Sequence, residues 1–180
     1  GFQLSEISGH DSAGTTSSLA LADIDGDGDL ALYVAHYIDR MYLADPTTGF
    51  EYSKRGDQWV VTRINGESTL KPKWKGRFTV SDTGRVRELP EADRLYLNNA
   101  DGTFRDVSAE PMFIVNGELR ALASFREWGL AVTFRDVNND LLPDLYVCND
   151  FASPDRFWIN QGNGTFELVT HRNIRHTSRS

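Results

Sequence analysis

The chain has 180 residues and a formal net charge of −7, with 19 Lys and Arg against 26 Asp and Glu. Its composition, 39% hydrophobic and 25% charged, is typical of a folded globular domain and excludes a chain that is disordered by composition. The acidic balance without a Lys/Arg cluster argues against nucleic acid as a partner, and no apolar run approaches the roughly 18 residues of a membrane-inserted helix. Cys148 is the single cysteine, which excludes an internal disulfide and a Cys-x-x-Cys zinc site.

Short runs rich in Val, Leu, Tyr, Phe and Trp recur along the chain, separated by Gly, Asn and Asp, and this pattern predicts an all-β fold. The connectors at 99–102 and 161–164 have hairpin chemistry, because Asn and Gly tolerate positive φ. One segment, 117–128, has helix-like spacing of its apolar residues. The predicted strands are 19–22, 30–37, 40–43, 59–64, 77–80, 95–98, 104–107, 130–134, 145–148, 156–159 and 166–169.

The sequence also repeats itself at fixed offsets. The segment DRLYLNNADGTFRDVS that starts at Asp93 returns as DRFWINQGNGTFELVT at Asp155, an offset of 62. The triplet Leu-Tyr-Val at 32–34 returns at 145–147, an offset of 113, and carries an Asp-rich loop with it. The order within each unit is strand, acidic loop, strand, strand, Asn-Gly turn and strand. Four antiparallel strands per unit predict the blade of a β-propeller.

The repeat boundaries predict a single propeller segment over residues 1–180. The first blade is predicted at about 17–108 and carries an insertion at 45–92; the second is predicted at about 128–170. Residues 1–7 and 172–180 are predicted to belong to partial flanking blades. The insertion is also compatible with a degenerate blade, although it brings no acidic loop. Because a closed propeller typically needs 4–8 blades, the partners expected here are further blades or other copies of the chain.

The first acidic loop, residues 23–31, has carboxylates at alternate positions and Gly28 at its sixth place. This spacing lets side chains at places one, three and five and the carbonyl at place seven hold a hard cation. Val34 stands where an EF-hand has its bidentate Glu, and a strand follows instead of a helix, which excludes an EF-hand. Without a counter-ion the carboxylates repel one another, so cation binding is favoured over a plain acidic turn. The oxygen donors are Asp23, Asp25, Asp27 and the carbonyl of Asp29.

The second acidic loop, residues 136–144, keeps oxygen donors at places one, three, five and nine. It has Leu141 at the sixth place, where a left-handed backbone would cost about 1–2 kcal/mol. The first loop has the opposite departure, with Ala31 at the ninth place. The side-chain donors of the second loop are Asp136, Asn138, Asp140 and Asp144.

The acidic loop, the Leu-Tyr-Val strand, the Asp-Arg-aromatic strand and the Asn-Gly-Thr-Phe turn together resemble the FG-GAP/VCBS repeats of integrin α-subunit propellers. More closely, they resemble the proteins related to cartilage acidic protein that often carry an ASPIC/UnbV tail. The resemblance covers about residues 17–44 and 93–170. It implies a calcium-stabilised propeller that is usually exported, to the periplasm, the cell surface or the extracellular space, and usually non-enzymatic. The calcium ligands that it implies are Asp23, Asp25, Asp27, Asp29 (carbonyl), Asp136, Asn138, Asp140, Leu142 (carbonyl) and Asp144.

We therefore expect a calcium-binding repeat segment with an adhesion or ligand-binding role, for a protein or carbohydrate ligand. No catalytic or organic-cofactor residue is predicted, because no Gly-x-Ser-x-Gly elbow is present and a calcium-neutralised carboxylate is a poor general acid. Two alternatives stay open: the scaffold part of a polysaccharide-active enzyme, and a purely structural spacer.

A recognition surface is predicted on the insertion, because long connections on a rigid scaffold tolerate variation and carry contacts. The alternative is that the insertion only packs on its own propeller. Mixed aromatic and basic residues suit an acidic glycan or a protein surface. The insertion contains Tyr52, Trp59, Trp74 and Phe78 among Arg55, Arg63, Lys71, Lys73, Lys75 and Arg77.

Overall fold

Antiparallel β-structure dominates the computed structural model, which describes residues 16–38, 40–150 and 153–169. These residues form fifteen strands and two 3-10 helices, Pro72–Trp74 and Leu122–Ser124, and contain no α-helix, so the predicted all-β fold is confirmed. The helix-like spacing over 117–128 was misleading. Asn116 and Gly117 both have positive φ and make a tight turn, which folds the following strand back on the preceding one.

Numbered in chain order, the strands are β1 (Thr16–Ala22), β2 (Ala31–His36), β3 (Phe50–Arg55), β4 (Gln58–Ile64), β5 (Glu67–Ser68), β6 (Phe78–Val80), β7 (Val86–Glu88), β8 (Arg94–Asn98), β9 (Phe104–Asp106), β10 (Pro111–Val115), β11 (Glu118–Ala121), β12 (Gly129–Arg135), β13 (Asp144–Asn149), β14 (Arg156–Asn160) and β15 (Phe166–Leu168).

Two larger sheets contain the segments with repeated sequence. The first sheet has the order β1-β2-β8-β9, so it joins chain on both sides of the insertion. The second sheet has the order β11-β10-β15-β14-β13-β12. Its strands β12 to β15 pair antiparallel, whereas β10 pairs parallel with β15 and adds a hairpin that the sequence did not predict.

The two sheets are paired in the same register. Tyr33 lies opposite Ala20 in the first sheet, and Tyr146 lies opposite Thr133 in the second, 113 residues later in both strands. The β1–β2 and β12–β13 pairs also share a register shift at the same place. The pairings of β8 with β9 and of β14 with β15 agree at the offset of 62.

The insertion folds outside these two sheets, as the three-stranded sheet β3-β4-β5 and the hairpin β6-β7. The strand predicted at 40–43 is wrong. That segment leads into a turn at 42–44, where the Tyr42 ring packs edge-on against Trp74 at 5.0 Å between centroids. Strand β3 was not predicted, because its sequence FEYSKR carries three charged residues and looks like a surface loop.

The main core lies between the first and second sheets. The ring of Tyr33 on β2 meets Phe134 on β12 edge-on, at 6.5 Å between centroids. At the margins of this contact, Ser17 Oγ donates to the carbonyl of Gly129 at 2.7 Å and Asn160 Nδ2 donates to the carbonyl of Ile24 at 2.8 Å. The buried residues of this core include Tyr33, Ala35, Leu95, Phe113, Leu145, Val147, Trp158 and Phe166.

Within the described residues the sheets do not close into a ring, so the propeller stays a prediction. The flanking partial blades predicted at 1–7 and 172–180 lie outside the described residues. No helix in the described part of the chain is long and apolar enough to cross a membrane.

Candidate cation site

The first acidic loop connects β1 to β2 and is folded by its own first aspartate. Asp23 accepts hydrogen bonds from the amide of Gly26 at 2.8 Å and from the amide of Gly28 at 3.1 Å, through its two different oxygens. Asp27 accepts one from the amide of Asp29 at 2.8 Å. Gly26 and Gly28 have φ of 76° and 91°, a conformation that L side chains disfavour. These bonds curl the backbone around one point.

Three carboxylates converge inside this curl. One oxygen from each of Asp23, Asp25 and Asp27 lies within 4.8 Å of the other two. Partial burial raises the pKa of Asp25, and the charges of Asp27 and Asp23 raise it further, against hydrogen bonds from backbone N–H groups that lower it. The chemistry of the donor set, oxygen only and acidic, fits a hard cation, although exposed acidic clusters also occur without an ion.

The second acidic loop connects β12 to β13 and has the same hydrogen bonds. Asp136 accepts from the amides of Asn139 at 2.7 Å and Leu141 at 3.0 Å, three and five residues later, as Asp23 does in the first loop. Asp140 accepts from the amide of Leu142 at 2.9 Å, the counterpart of the Asp27 contact. The Asn138 amide group donates to Asp140 Oδ2 at 2.7 Å, so these two predicted ligands touch each other.

The sixth place is left-handed in both loops. Gly28 has φ of 91°, and Leu141 has φ of 70° and is 89% exposed as a residue. Leu141 therefore has the left-handed backbone for which a cost of about 1–2 kcal/mol was predicted. The second loop adopts the same backbone as the first despite an unfavourable residue.

Asp144, the predicted ninth-place ligand, is buried at the start of β13. Its oxygens accept hydrogen bonds from the amides of Val137 at 3.1 Å and Asn160 at 2.9 Å. These contacts connect the loop to strand β14. In the first loop the same place is taken by Ala31, which is also buried and has no carboxylate to make this connection.

Asp93 and Asp155 are structural residues whose role the sequence did not predict. Asp93 accepts hydrogen bonds from the Tyr33 hydroxyl at 2.7 Å and the His36 amide at 2.8 Å. Asp155 accepts the matching bonds from the Tyr146 hydroxyl at 2.7 Å and the Asn149 amide at 2.8 Å. The signal was present in the sequence, since the tyrosines repeat at offset 113 and the aspartates at offset 62.

A small cavity lies beside Asp93 in the main core. Tyr33, Asp93, Glu127 and Arg156 supply its polar lining. Its volume of about 10 Å³ is room for one water molecule, so it does not hold an organic ligand. The Nε of Arg156 donates to both Glu127 oxygens, at 3.0 and 2.8 Å, and closes one side.

The structure divides the aromatic residues of the insertion into two groups. Trp74 is buried and packs with Phe78 and Tyr42 in a small core, and a buried Arg77–Glu88 ion pair borders it. Lys71 and Lys73 both pair with Glu67. Tyr52 and Trp59 are instead exposed on the β3–β4 hairpin, at 45% and 40%, and Lys54 Nζ lies 5.4 Å from the Trp59 ring centroid.

Comparison of the chain with models of protein families, with curated proteins and with solved structures yields no match. The resemblance to FG-GAP/VCBS repeats therefore stays a prediction that rests on the motifs alone.

Proposed function

We propose that this chain is a calcium-stabilised segment of a β-propeller with a non-catalytic ligand-binding role. The observation that carries the proposal is the convergence of Asp23, Asp25 and Asp27 on a hydrogen-bonded loop scaffold that recurs in the second acidic loop. Two loops with the same set of backbone contacts at the same place in two sheets favour a common task over chance acidity.

Calcium is the cation that this donor set favours. Carboxylates, an amide oxygen and backbone carbonyls are ligands of hard cations, and a flexible loop suits calcium better than magnesium, which demands near-ideal octahedral geometry. The first loop is the stronger candidate, because its three carboxylates converge and it has glycine at the left-handed place. The bound ion would fix the turn between β1 and β2 in the first sheet and the turn between β12 and β13 in the second.

The propeller assignment is supported by how the two sheets lie. They share strand order over four strands, share register, and pack face to face with β1 beside β12. Radial repetition of such sheets around a channel is the architecture of a propeller. This architecture is usual for exported binding modules in the family that the motifs resemble.

The ligand-binding surface that we propose is the exposed face of the β3–β4 hairpin. Tyr52, Lys54 and Trp59 combine flat aromatic surface with positive charge, and Arg55 adds a further cation at the turn. An acidic glycan fits this chemistry, because a sugar ring packs on an aromatic face while its sulfate or carboxylate meets the cations. Trp74, Phe78 and Arg77 support the hairpin from the small core of the insertion.

Calorimetric titration with calcium tests the first half of the proposal, and retention on immobilised heparin tests the second. We expect Asp25→Asn to remove most of the calcium heat and Trp59→Ala to remove glycan retention without changing calcium binding. Leu70→Ala, at an exposed position elsewhere in the insertion, is the control. Calcium binding without retention on any glycan or protein probe would favour the structural spacer, and turnover of a polysaccharide that survives calcium removal would favour the enzyme scaffold.

A further inference from the structure

One buried asparagine contacts both acidic loops. Asn160 ends β14 and is 2% exposed. Its Nδ2 donates to the carbonyl of Ile24 in the first loop at 2.8 Å, and to the carbonyl of Pro143 in the second loop at 3.3 Å. The amide group of an asparagine side chain carries two hydrogens, so both bonds can form at the same time. Asn160 therefore joins the acidic loop of the first sheet to the acidic loop of the second.

The backbone of the same residue holds the second loop once more. The amide of Asn160 donates to Asp144 Oδ1 at 2.9 Å, and the other oxygen of Asp144 accepts from the amide of Val137 at 3.1 Å. Asp144 is 1% exposed. Buried hydrogen bonds are costly to leave unmade, so the start of the second loop at Val137 and its end at Pro143 are fixed by one network around Asn160.

In the first loop the contact falls between two of the converging aspartates. Ile24 stands between Asp23 and Asp25, and its side chain is buried in the main core. The carbonyl of Ile24 and the nitrogen of Asp25 belong to one planar peptide group, so a bond to this carbonyl orients the backbone that carries Asp25. Ala31 gives the first loop no carboxylate at its ninth place. The neighbouring sheet supplies a bond to the first loop instead, through Asn160.

The counterpart of Asn160 in the first sheet separates this contact from an ordinary turn contact. Asn98 Oδ1 accepts a hydrogen bond from the amide of Ala100 at 3.0 Å, and Asn160 Oδ1 accepts one from the amide of Gly162 at 3.0 Å, at the offset of 62. Within the described ranges, Nδ2 of Asn98 donates to neither acidic loop. The turn therefore uses the side-chain oxygen alone, and the two bonds from Asn160 Nδ2 are additional to it.

We propose that Asn160 couples the two acidic loops, so that ordering of either loop favours the ordered state of the other. Asn160 is a positioning residue. Pro143 and Asp144 hold it where its Nδ2 meets Ile24, and opening of the second loop releases that hold. Such coupling is reciprocal, so opening of the first loop weakens the second by the same factor. On the function proposed above, on which this consequence rests, two calcium ions bind the chain with positive cooperativity.

Solvent exchange of amide hydrogens, measured by NMR in chelator, tests the coupling without calcium. The reporters are the amides of Gly26 and Gly28, which donate to Asp23 in the first loop. Asp136→Ala removes the acceptor that folds the second loop and should speed the exchange of both reporters at least about threefold. Asp101→Ala removes a turn acceptor in the β8–β9 hairpin and is the matched control, which should leave both rates unchanged. Unchanged rates in Asp136→Ala overturn the proposal.

A second arm tests whether the coupling passes through Asn160. Asp136→Ala should no longer change the reporter rates in a chain that also carries Asn160→Ala, but should still change them beside Asn98→Ala, which loses only the turn contact. An effect that persists beside Asn160→Ala overturns the role of Asn160, and a plain effect of the lost charge would persist in this way. If Asn160→Ala does not fold, the isosteric Asn160→Asp takes its place, because it keeps the Oδ1 contact with Gly162 and loses both side-chain donors.

Calcium titration followed by calorimetry tests the consequence for ion binding. The wild type should show a Hill coefficient above one, and Asn160→Ala should bring it down to one. Two independent sites in the wild type would contradict the coupling. The exchange measurements are made in chelator, so a chain that binds no calcium but shows the expected exchange rates would contradict the proposed function and leave the coupling confirmed.

Discussion

The hydroxyl of Tyr33 donates a 2.7 Å hydrogen bond to Asp93 in the core between the two sheets. Burial raises the pKa of Asp93 to about 7, against hydrogen bonds from the His36 amide and the Tyr33 hydroxyl that lower it, and the nearby charge of Glu127 raises it further. The folded chain therefore holds a proton on Asp93 at a pH where the unfolded chain, with a carboxyl pKa near 3.8, has released it.

This difference predicts that the free energy of unfolding falls as pH rises from about 4 to 7. In that window the folded state binds one proton more than the unfolded state. The stabilisation that Asp93 contributes is therefore complete below the pKa of the unfolded state and is lost as the pH rises through the pKa of the folded state. The slope is at most about 1.4 kcal/mol per pH unit. Asp93→Asn should flatten this slope in denaturant titrations at a series of pH values.

Asp155→Asn is the matched control for the pH experiment, since Asp155 makes the same two hydrogen bonds at a half-buried place. An unchanged slope in Asp93→Asn would show that the pH dependence arises from another group.

The left-handed sixth place of the acidic loops predicts opposite effects of two substitutions. Leu141→Gly should stabilise the chain by about 0.5–1 kcal/mol, because relief of the left-handed strain exceeds the entropy that glycine loses on folding. Gly28→Ala should destabilise it by about 1 kcal/mol, and since no atom lies within 4 Å of the added Cβ, this cost is purely conformational. Chemical denaturation of both variants checks the pair, and equal signs would contradict it.

The ion pairs of Arg156 with Glu127 and of Arg94 with Asp106 differ in exposure, so we expect their loss to cost different amounts of stability. Arg156→Met leaves the Glu127 carboxylate, whose side chain is 15% exposed, without its partner, and should cost about 2–3 kcal/mol, less than for a fully buried pair. The counterpart Arg94→Met breaks the more exposed pair with Asp106 and should cost at most about 1 kcal/mol. Equal losses in thermal and denaturant unfolding would show that burial does not decide these energies.

Local chemistry made much of the fold predictable. The strand expected at 95–98 is confirmed within Arg94–Asn98, and the Asn-Gly connectors that follow β8 and β14 turn as hairpins, with Ala100 and Gly162 at positive φ. In both acidic loops, the carboxylate at the first place accepts hydrogen bonds from amides that are only three and five residues further along the chain. Such short-range contacts follow from spacing alone.

Long-range partners were not predictable from spacing. The parallel pairing of β10 with β15 joins residues more than 50 positions apart, as in Phe113 opposite Phe166, and no pattern in β10 specifies it. The same holds for Asp93, whose tyrosine partner lies 60 residues earlier. Within the insertion, Trp59 is exposed and Trp74 is buried, although the composition of the segment gave both the same predicted role in recognition.

Calcium-dependent stability is the central claim, and thermal unfolding of the chelator-treated chain with and without calcium tests it most directly. For a dissociation constant of about 10⁻⁴–10⁻³ M, about 10 mM calcium should add about 1.4–2.7 kcal/mol and raise the melting temperature by about 3–10 °C. Asp25→Asn should lose most of this shift, whereas Asp57→Asn, an exposed hairpin aspartate outside the loops, should keep it. A wild-type melting temperature that is the same in chelator and in 10 mM calcium would contradict the account.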